Sequence, residues 1–135
     1  MSKILYGEPV AKNLDSQSKY IFQEYTTKHD TPPLLTSITV GDNPASLLYV
    51  SVKERKAEKL GVNFNWIKLK ETTLESELED VISEHSKSSQ GMIIQLPLPE
   101  HLNTEKVIDL IPSGIDVDGL TTLNLGKLYS ETVSY

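Results

Sequence analysis

The sequence contains no cysteine, no long apolar run and no block of basic residues. Without cysteine, the chain can form neither a disulfide nor a thiolate metal site, and it has no cysteine nucleophile. No apolar stretch approaches membrane-spanning length, and the N-terminus resembles neither a signal peptide nor an Arg/Ser-rich presequence. The net charge of -6 comes from mixed acidic and basic residues, which argues against a nucleic-acid surface. These absences predict a cytoplasmic protein with neither a membrane nor nucleic acid as partner.

The apolar residues of the chain alternate between helical and strand spacing, and 135 residues suffice for one domain. Helices are predicted at 9–28, 46–60, 73–85 and 103–110, with Thr73 capping the third and Gly61 ending the second. Strands are predicted at 34–40, at 62–69 and in the run that begins at Gly91. From Pro112 onward, three glycines predict a loop. This order predicts an α/β fold, a three-layer domain with a mainly parallel sheet and helices on both faces.

The third predicted strand ends on a glutamine, in the run Gly-Met-Ile-Ile-Gln-Leu-Pro-Leu-Pro over residues 91–99. Pro97 and Pro99 lack a backbone N–H and prevent the strand from continuing. Gln95 is therefore left at the carboxyl end of a parallel strand, where open α/β sheets bind their ligands. A glutamine at this place can equally serve to tie down a loop, so the strand alone leaves both interpretations open.

Tyr49 and Lys53 are four residues apart on the helix that follows the first strand, so they share one helical face. That helix starts at the same edge of the sheet as Gln95. A lysine beside an apolar wall and an aromatic ring can lose its ammonium form and serve as a general base or acid. The alternative is an ordinary solvated lysine, with Tyr49 as a core or rim residue.

Two acids flank a valine in the glycine-rich C-terminal region, Asp116 and Asp118. Alternating carboxylates can bind a metal, but no histidine or further oxygen ligand of a calcium loop accompanies them. A carboxylate can also accept two parallel N–H bonds from a guanidine-like edge, such as that of a pterin or guanine. The third interpretation is simple capping of the loop.

Five short motifs occur together in the order and approximate spacing of one known family: Gly41-Asp-Asn-Pro-Ala-Ser46, Tyr49-Val50 with Lys53, Gln95-Leu-Pro-Leu-Pro99, Asp116-Val-Asp-Gly119 and Asn124-Leu-Gly126. The chain resembles the bifunctional methylenetetrahydrofolate dehydrogenase/methenyltetrahydrofolate cyclohydrolase family. The resemblance extends over nearly the whole chain, and it implies an enzyme of folate one-carbon metabolism. The alternative is a non-catalytic folate-binding or interaction module that kept the fold and its pocket.

The resemblance also implies roles for individual residues. Lys53 matches the catalytic lysine of the family, which acts in proton transfer, and Gln95 matches the glutamine that contacts it. Tyr49 matches the tyrosine that stacks on the aromatic part of the folate and orders the lysine. Asp118 matches the acid that binds the pterin edge, and Leu96 and Pro97 are expected to line the substrate site. No metal is implied.

The chain departs from the family pattern in two respects. Ile115 stands where the family usually has a lysine before the first acid, and the sequence ends before the segment that would lead into an NAD(P)-binding Rossmann domain. No G-x-G-x-x-G or Walker loop is present. We therefore expect residues 1–135 to form the folate-binding catalytic domain, with NADP or NAD bound only by an additional C-terminal domain. In the family a C-terminal helix packs onto this domain, so exposed apolar surface and a homodimer are expected.

Overall fold

The computed structural model describes residues 4–130, which form three strands and five helices. The elements follow in the order α1 (Glu8–His29), β1 (Leu34–Val40), α2 (Pro44–Leu60), β2 (Asn63–Leu69), α3 (Glu75–Ser86), β3 (Gly91–Ile94), α4 (Thr104–Asp109) and α5 (Thr122–Tyr129). All three strands are parallel, in the order β2-β1-β3. The predicted parallel α/β architecture is thus confirmed.

The sheet, with β1 at its centre, separates two layers of helices. Its register pairs Ile38 with Ile67 on β2 and with Ile94 on β3. Because side chains alternate along a strand, Ile38 and Val40 point to one face, where α3 and α4 cover them. The core on that face consists of buried aliphatic side chains from both strands and helices: Ile38, Val40, Leu78, Ile82, Met92, Ile94, Leu102, Val107 and Ile111.

Helix α2 covers the opposite face of the sheet, and α1 packs on α2 rather than on the strands. Val50 and Ala57 are the buried apolar residues of α2. An ion pair between Lys56 and Asp15 joins the two helices. Helix α1 contributes no buried side chain of its own, so the sheet has a helical layer on each face and α1 forms an outer addition to one of them.

Local capping residues fix both ends of α2. The Asn43 side chain accepts hydrogen bonds from the amides of Ala45 and Ser46 at 3.0 and 3.1 Å, which satisfies two of the unpaired N–H groups at the helix start. Gly61 ends the helix with φ +79°, a conformation that suits glycine. These caps place the start of α2 at the carboxyl edge of β1, as the sequence predicts.

Two local predictions were wrong. Residues 122–129 form α5 rather than loop, because the Thr121 hydroxyl accepts from the Asn124 amide and the Asp109 carboxylate binds both the amide and the hydroxyl of Thr122. The expected cap of α3 also lies one residue too early. Leu74, not Thr73, is the N-cap residue, and its amide donates to the Glu77 side chain.

Within residues 4–130, no helix combines the length and apolar character that crossing a membrane requires.

Candidate active site

Lys53 and Gln95 form a direct hydrogen bond between α2 and the end of β3. The Lys53 Nζ donates to Gln95 Oε1 at 3.2 Å. The amide oxygen of Gln95 is a hydrogen-bond acceptor, and it pairs with an N–H of Lys53. The amide nitrogen of Gln95 in turn donates to the Leu96 carbonyl at 2.9 Å. The backbone amide of Gln95 donates to Ile38 O, so the side chain that contacts Lys53 starts from a backbone fixed to the sheet.

Asp118 is the second polar neighbour of Lys53. Its Oδ2 lies 4.0 Å from Lys53 Nζ, and the two side chains are 41% and 34% exposed. An ion pair of this length and exposure contributes little to stability. Both groups are therefore accessible to a ligand that enters between them.

The segment 116–121, which we call the acidic loop, carries Asp118. Its first residue is joined to β3 by a parallel bridge between Met92 and Asp116, next to a 2.7 Å bond from Met92 N to Ile115 O. Its turn contains Gly119 at φ +67°, where glycine is favoured. Ile115, which stands where the family has a lysine, packs against the core.

Asp116 closes the acidic loop from within. Its carboxylate accepts from Leu120 N, Thr121 N and Asn124 Nδ2 at 3.3, 2.9 and 3.0 Å. Partial burial acts to raise the pKa of Asp116, but the hydrogen bonds from Thr121, Asn124 and Leu120 outweigh it and hold the pKa below its usual value. Of the interpretations considered for the two acids, loop capping therefore applies to Asp116, whereas Asp118 faces Lys53.

Tyr49 lies one turn before Lys53 on α2, and its side chain is exposed. The residue is 62% exposed, and within residues 4–130 its ring stacks on no other aromatic ring. Tyr49 is thus not a core residue, and its flat face is available for stacking.

Leu96 and Pro97 directly follow Gln95 on the chain. The Leu96 carbonyl accepts from Gln95 and from the hydroxyl of the buried Ser46, and the Leu96-Pro97 peptide is cis. Pro97 lines a separate cleft of about 270 Å³ at the carboxyl edge of the sheet. The sequence did not predict the contact of Ser46, since it joins the first turn of α2 to a loop 50 residues further along the chain.

An apolar cavity of about 410 Å³ lies next to Lys53, between α1, α2 and the sheet. Leu35, Val52 and Val117 supply part of its wall, together with Gly91. A Cβ atom on Gly91 would come within 2.8 Å of Val117 Cγ1, so the glycine makes room for the acidic loop. Lys53 therefore has apolar neighbours on this side.

Comparison with known proteins shows the family of the chain. The family model for the tetrahydrofolate dehydrogenase/cyclohydrolase catalytic domain matches residues 5–118. The chain belongs to this family. The bifunctional protein FolD of Lactococcus lactis is 38% identical over 129 residues, which make up 94% of this chain and 45% of that protein.

Solved structures of such enzymes share the fold of this tetrahydrofolate dehydrogenase/cyclohydrolase catalytic domain. The bifunctional FolD of Campylobacter jejuni has a TM-score of 0.83 at 32% identity, over 90% of this chain and 44% of that one. A 5,10-methylenetetrahydrofolate dehydrogenase from the silkworm Bombyx mori has a TM-score of 0.87 at 30% identity, over 95% of this chain and 45% of that one. The chain spans about half the length of the curated relatives it matches.

The described part of this catalytic domain does not fit a dinucleotide. The turn between β1 and α2 is not G-x-G-x-x-G, and the Asn43 side chain already binds the helix amides that a pyrophosphate would need. After β3, Pro97 and Pro99 offer no amide at all. Residues 4–130 also contain no group of three or more acids and histidines placed to hold a metal ion.

Proposed function

We propose that this domain catalyses the cyclohydrolase reaction of folate one-carbon metabolism, the hydrolysis of 5,10-methenyltetrahydrofolate. The observation that supports it is the position of Lys53, which lies 3.2 Å from Gln95 Oε1 and 4.0 Å from Asp118 Oδ2, with the Lys53 and Asp118 side chains partly exposed. The carbon between the two folate nitrogens is an amidinium-like electrophile. Its hydrolysis requires a positioned proton acceptor rather than a metal.

In this mechanism, Lys53 is the group that transfers protons. Its uncharged amine accepts a proton as water attacks the methenyl carbon, forming a tetrahedral intermediate. The Lys53 ammonium so formed gives its proton to one folate nitrogen, the bond between that nitrogen and the carbon breaks, and the carbon remains on the other nitrogen. The hydroxyl of the intermediate loses its proton to water as its oxygen becomes the formyl C=O. The oxygen of Gln95 holds Lys53 Nζ in place, since the Gln95 backbone is fixed to β1.

The other two residues bind the substrate in this proposal. Both Asp118 carboxylate oxygens can accept parallel N–H bonds from the guanidine-like edge of the pterin ring. Tyr49 stacks on the aromatic part of the folate through its exposed face. Leu96 and Pro97 extend the substrate site from Gln95 towards the adjoining cleft at the carboxyl edge of the sheet.

The dehydrogenase reaction is a further proposal, because the described residues do not fit a dinucleotide. Oxidation of methylenetetrahydrofolate then requires NADP or NAD held by a C-terminal nucleotide-binding domain like the one expected of the longer relatives. Residues 1–135 form the folate-binding catalytic domain in this arrangement. We also propose a cytoplasmic homodimer that needs no metal and binds neither nucleic acid nor membranes.

The loss of methenyltetrahydrofolate absorbance tests the proposed function, with spontaneous hydrolysis subtracted. Removing the proton-transfer group in Lys53→Met should lower turnover by about a hundredfold or more. Lys56→Met is the matched control, because Lys56 lies on the same helix but pairs with Asp15, and it should retain activity.

Two results would contradict the proposal: turnover that survives in Lys53→Met, or equal loss in both variants. If the unaltered chain shows no turnover, titration with the same folate separates a binding module from a protein that does not recognise folate. Either of those outcomes rejects the cyclohydrolase proposal for this chain.

A further inference from the structure

The two acids of the acidic loop use their carboxylates differently. Asp116 is half-buried, and its two oxygens accept three hydrogen bonds from the protein. Asp118 is exposed, and the one ion pair of its carboxylate within residues 4–130 is the 4.0 Å approach to Lys53. A carboxylate has about four acceptor positions. Asp118 therefore has acceptor capacity left for a ligand, whereas Asp116 has little.

The contact between Asp118 and Lys53 is too weak to hold the acidic loop in position. Exposed ion pairs contribute little, and this one is at the upper limit of distance. Hydrogen bonds to a charged acceptor are among the stronger interactions in proteins. The loop position must therefore be set by contacts other than that of Asp118 itself.

The hydrogen bonds of Asp116 span the residue that needs positioning. The bridge to Met92 fixes the loop before Asp118, and all three donors to Asp116 lie after it, at Leu120, Thr121 and Asn124. Asn124 also donates to Ser113 O at 2.9 Å, so it links both sides of the loop. Asp118 is left at the tip between two fixed ends.

We infer that Asp116 is a positioning residue, whose carboxylate closes the acidic loop and so sets the separation between Asp118 and Lys53. The inference rests on the proposed function in one respect: the separation matters because a folate pterin must fit between Asp118 and its neighbours. Asp116 does not touch the substrate, and it acts only through Asp118.

Kinetics of methenyltetrahydrofolate hydrolysis provide the first test. An asparagine at position 116 places an NH₂ group against at least one N–H donor. Asp116→Asn should therefore raise KM by about tenfold, equivalent to one lost hydrogen bond, with a smaller change in kcat. Asp118→Asn should also raise KM, and the double variant should be no worse than Asp118→Asn alone.

Asp109→Asn is the matched control. The Asp109 carboxylate also accepts two bonds at the start of α5, from the amide and hydroxyl of Thr122, but it does not bond to the acidic loop. The KM of Asp109→Asn should stay within about twofold of that of the unaltered chain, a smaller change than the loss of one hydrogen bond would cause. Two results would overturn the inference: an equal rise in KM in Asp109→Asn and Asp116→Asn, or a KM in the Asp116→Asn/Asp118→Asn double variant that multiplies the two single effects. Either would show that Asp116 only stabilises the fold.

Crystal structures of the unaltered chain and of Asp116→Asn, without ligand, provide a test that needs no activity. The separation between Asp118 and Lys53 should grow from 4.0 Å to more than about 6 Å, beyond direct charge contact. An unchanged separation would overturn the inference. If the unaltered chain neither binds nor hydrolyses folate, the proposed function fails, and this structural comparison still decides the role of Asp116.

Discussion

The absence of a side chain at Gly91 determines how closely the acidic loop can approach the sheet. Gly91 is buried at the start of β3, and an added Cβ would meet Val117 at 2.8 Å and Leu35 at 3.1 Å. Its φ angle is not in the left-handed region. The requirement for glycine is therefore steric and not conformational. Val117 is half exposed, so it is the neighbour free to move, and its movement would carry Asp118 with it.

Gly91→Ala should accordingly displace Val117, lower the free energy of unfolding by about 1 to 3 kcal/mol and weaken folate binding. Urea denaturation and folate titration measure the two effects. Gly114→Ala is the control, because nothing lies within 4 Å of its added Cβ. The second change Val117→Ala should relieve the crowding. Failure of the double variant to recover stability would show that the steric explanation is wrong.

Among the elements, α5 illustrates what the sequence could not predict. Its glycine at 126 indicates loop when only local preferences are considered, yet the helix forms because Thr121 and Asp109 satisfy its first amides. Asp109 is 13 residues away from Thr122, so this contact depends on the fold. By contrast, the ends of α2 follow from Asn43 and Gly61, which act within one turn of the helix.

The same distinction applies to the candidate site. The end of β3 directly before Gln95 and the shared helical face of Tyr49 and Lys53 follow from proline chemistry and from spacing, and the sequence predicts them. The different tasks of Asp116 and Asp118 do not, because identical side chains two residues apart acquire them only from the bridge to Met92 and from the donors of α5. Their catalytic and binding roles stay predictions until variants are measured.

Helix α5 should be stabilised by a substitution that removes its glycine. Gly126 is exposed, has ordinary helical geometry and has nothing within 4 Å of an added Cβ. Gly126→Ala should raise the free energy of unfolding by about 0.5 to 1 kcal/mol, because alanine loses less conformational entropy on folding. Gly119→Ala, at φ +67°, should lower it. Urea denaturation measures both, and a neutral or destabilising Gly126→Ala would contradict this account of α5.

For the molecule as a whole, the distribution of apolar surface is uneven. Val10, Leu14 and Ile21 on α1 are each more than half exposed, and so are Leu123 and Leu128 on α5. Monomeric proteins rarely leave large contiguous apolar patches in contact with water. The proposed homodimer would cover part of this surface.

Sedimentation velocity over a range of protein concentrations tests the association. We expect the sedimentation coefficient to rise with concentration, and the double variant Leu14→Glu/Ile21→Glu to suppress that rise because it places charges on the exposed face of α1. Leu74→Gln removes an equally exposed apolar side chain at the start of α3 and should leave association unchanged. A single monomeric species at every concentration would contradict the homodimer.

Lys53 and its two polar partners lie on opposite sides of the contact between α2 and the sheet. Lys53 belongs to α2, whereas Gln95 directly follows β3 and the acidic loop is bridged to β3 through Met92. Both partners of Lys53 are thus attached to the same four-residue strand. Sliding of α2 over the sheet would therefore change the distances from Lys53 to Gln95 and to Asp118 together, even if neither partner moved relative to β3. The position of α2 on the sheet therefore affects both contacts of Lys53, whereas a change within the acidic loop alters only the distance to Asp118.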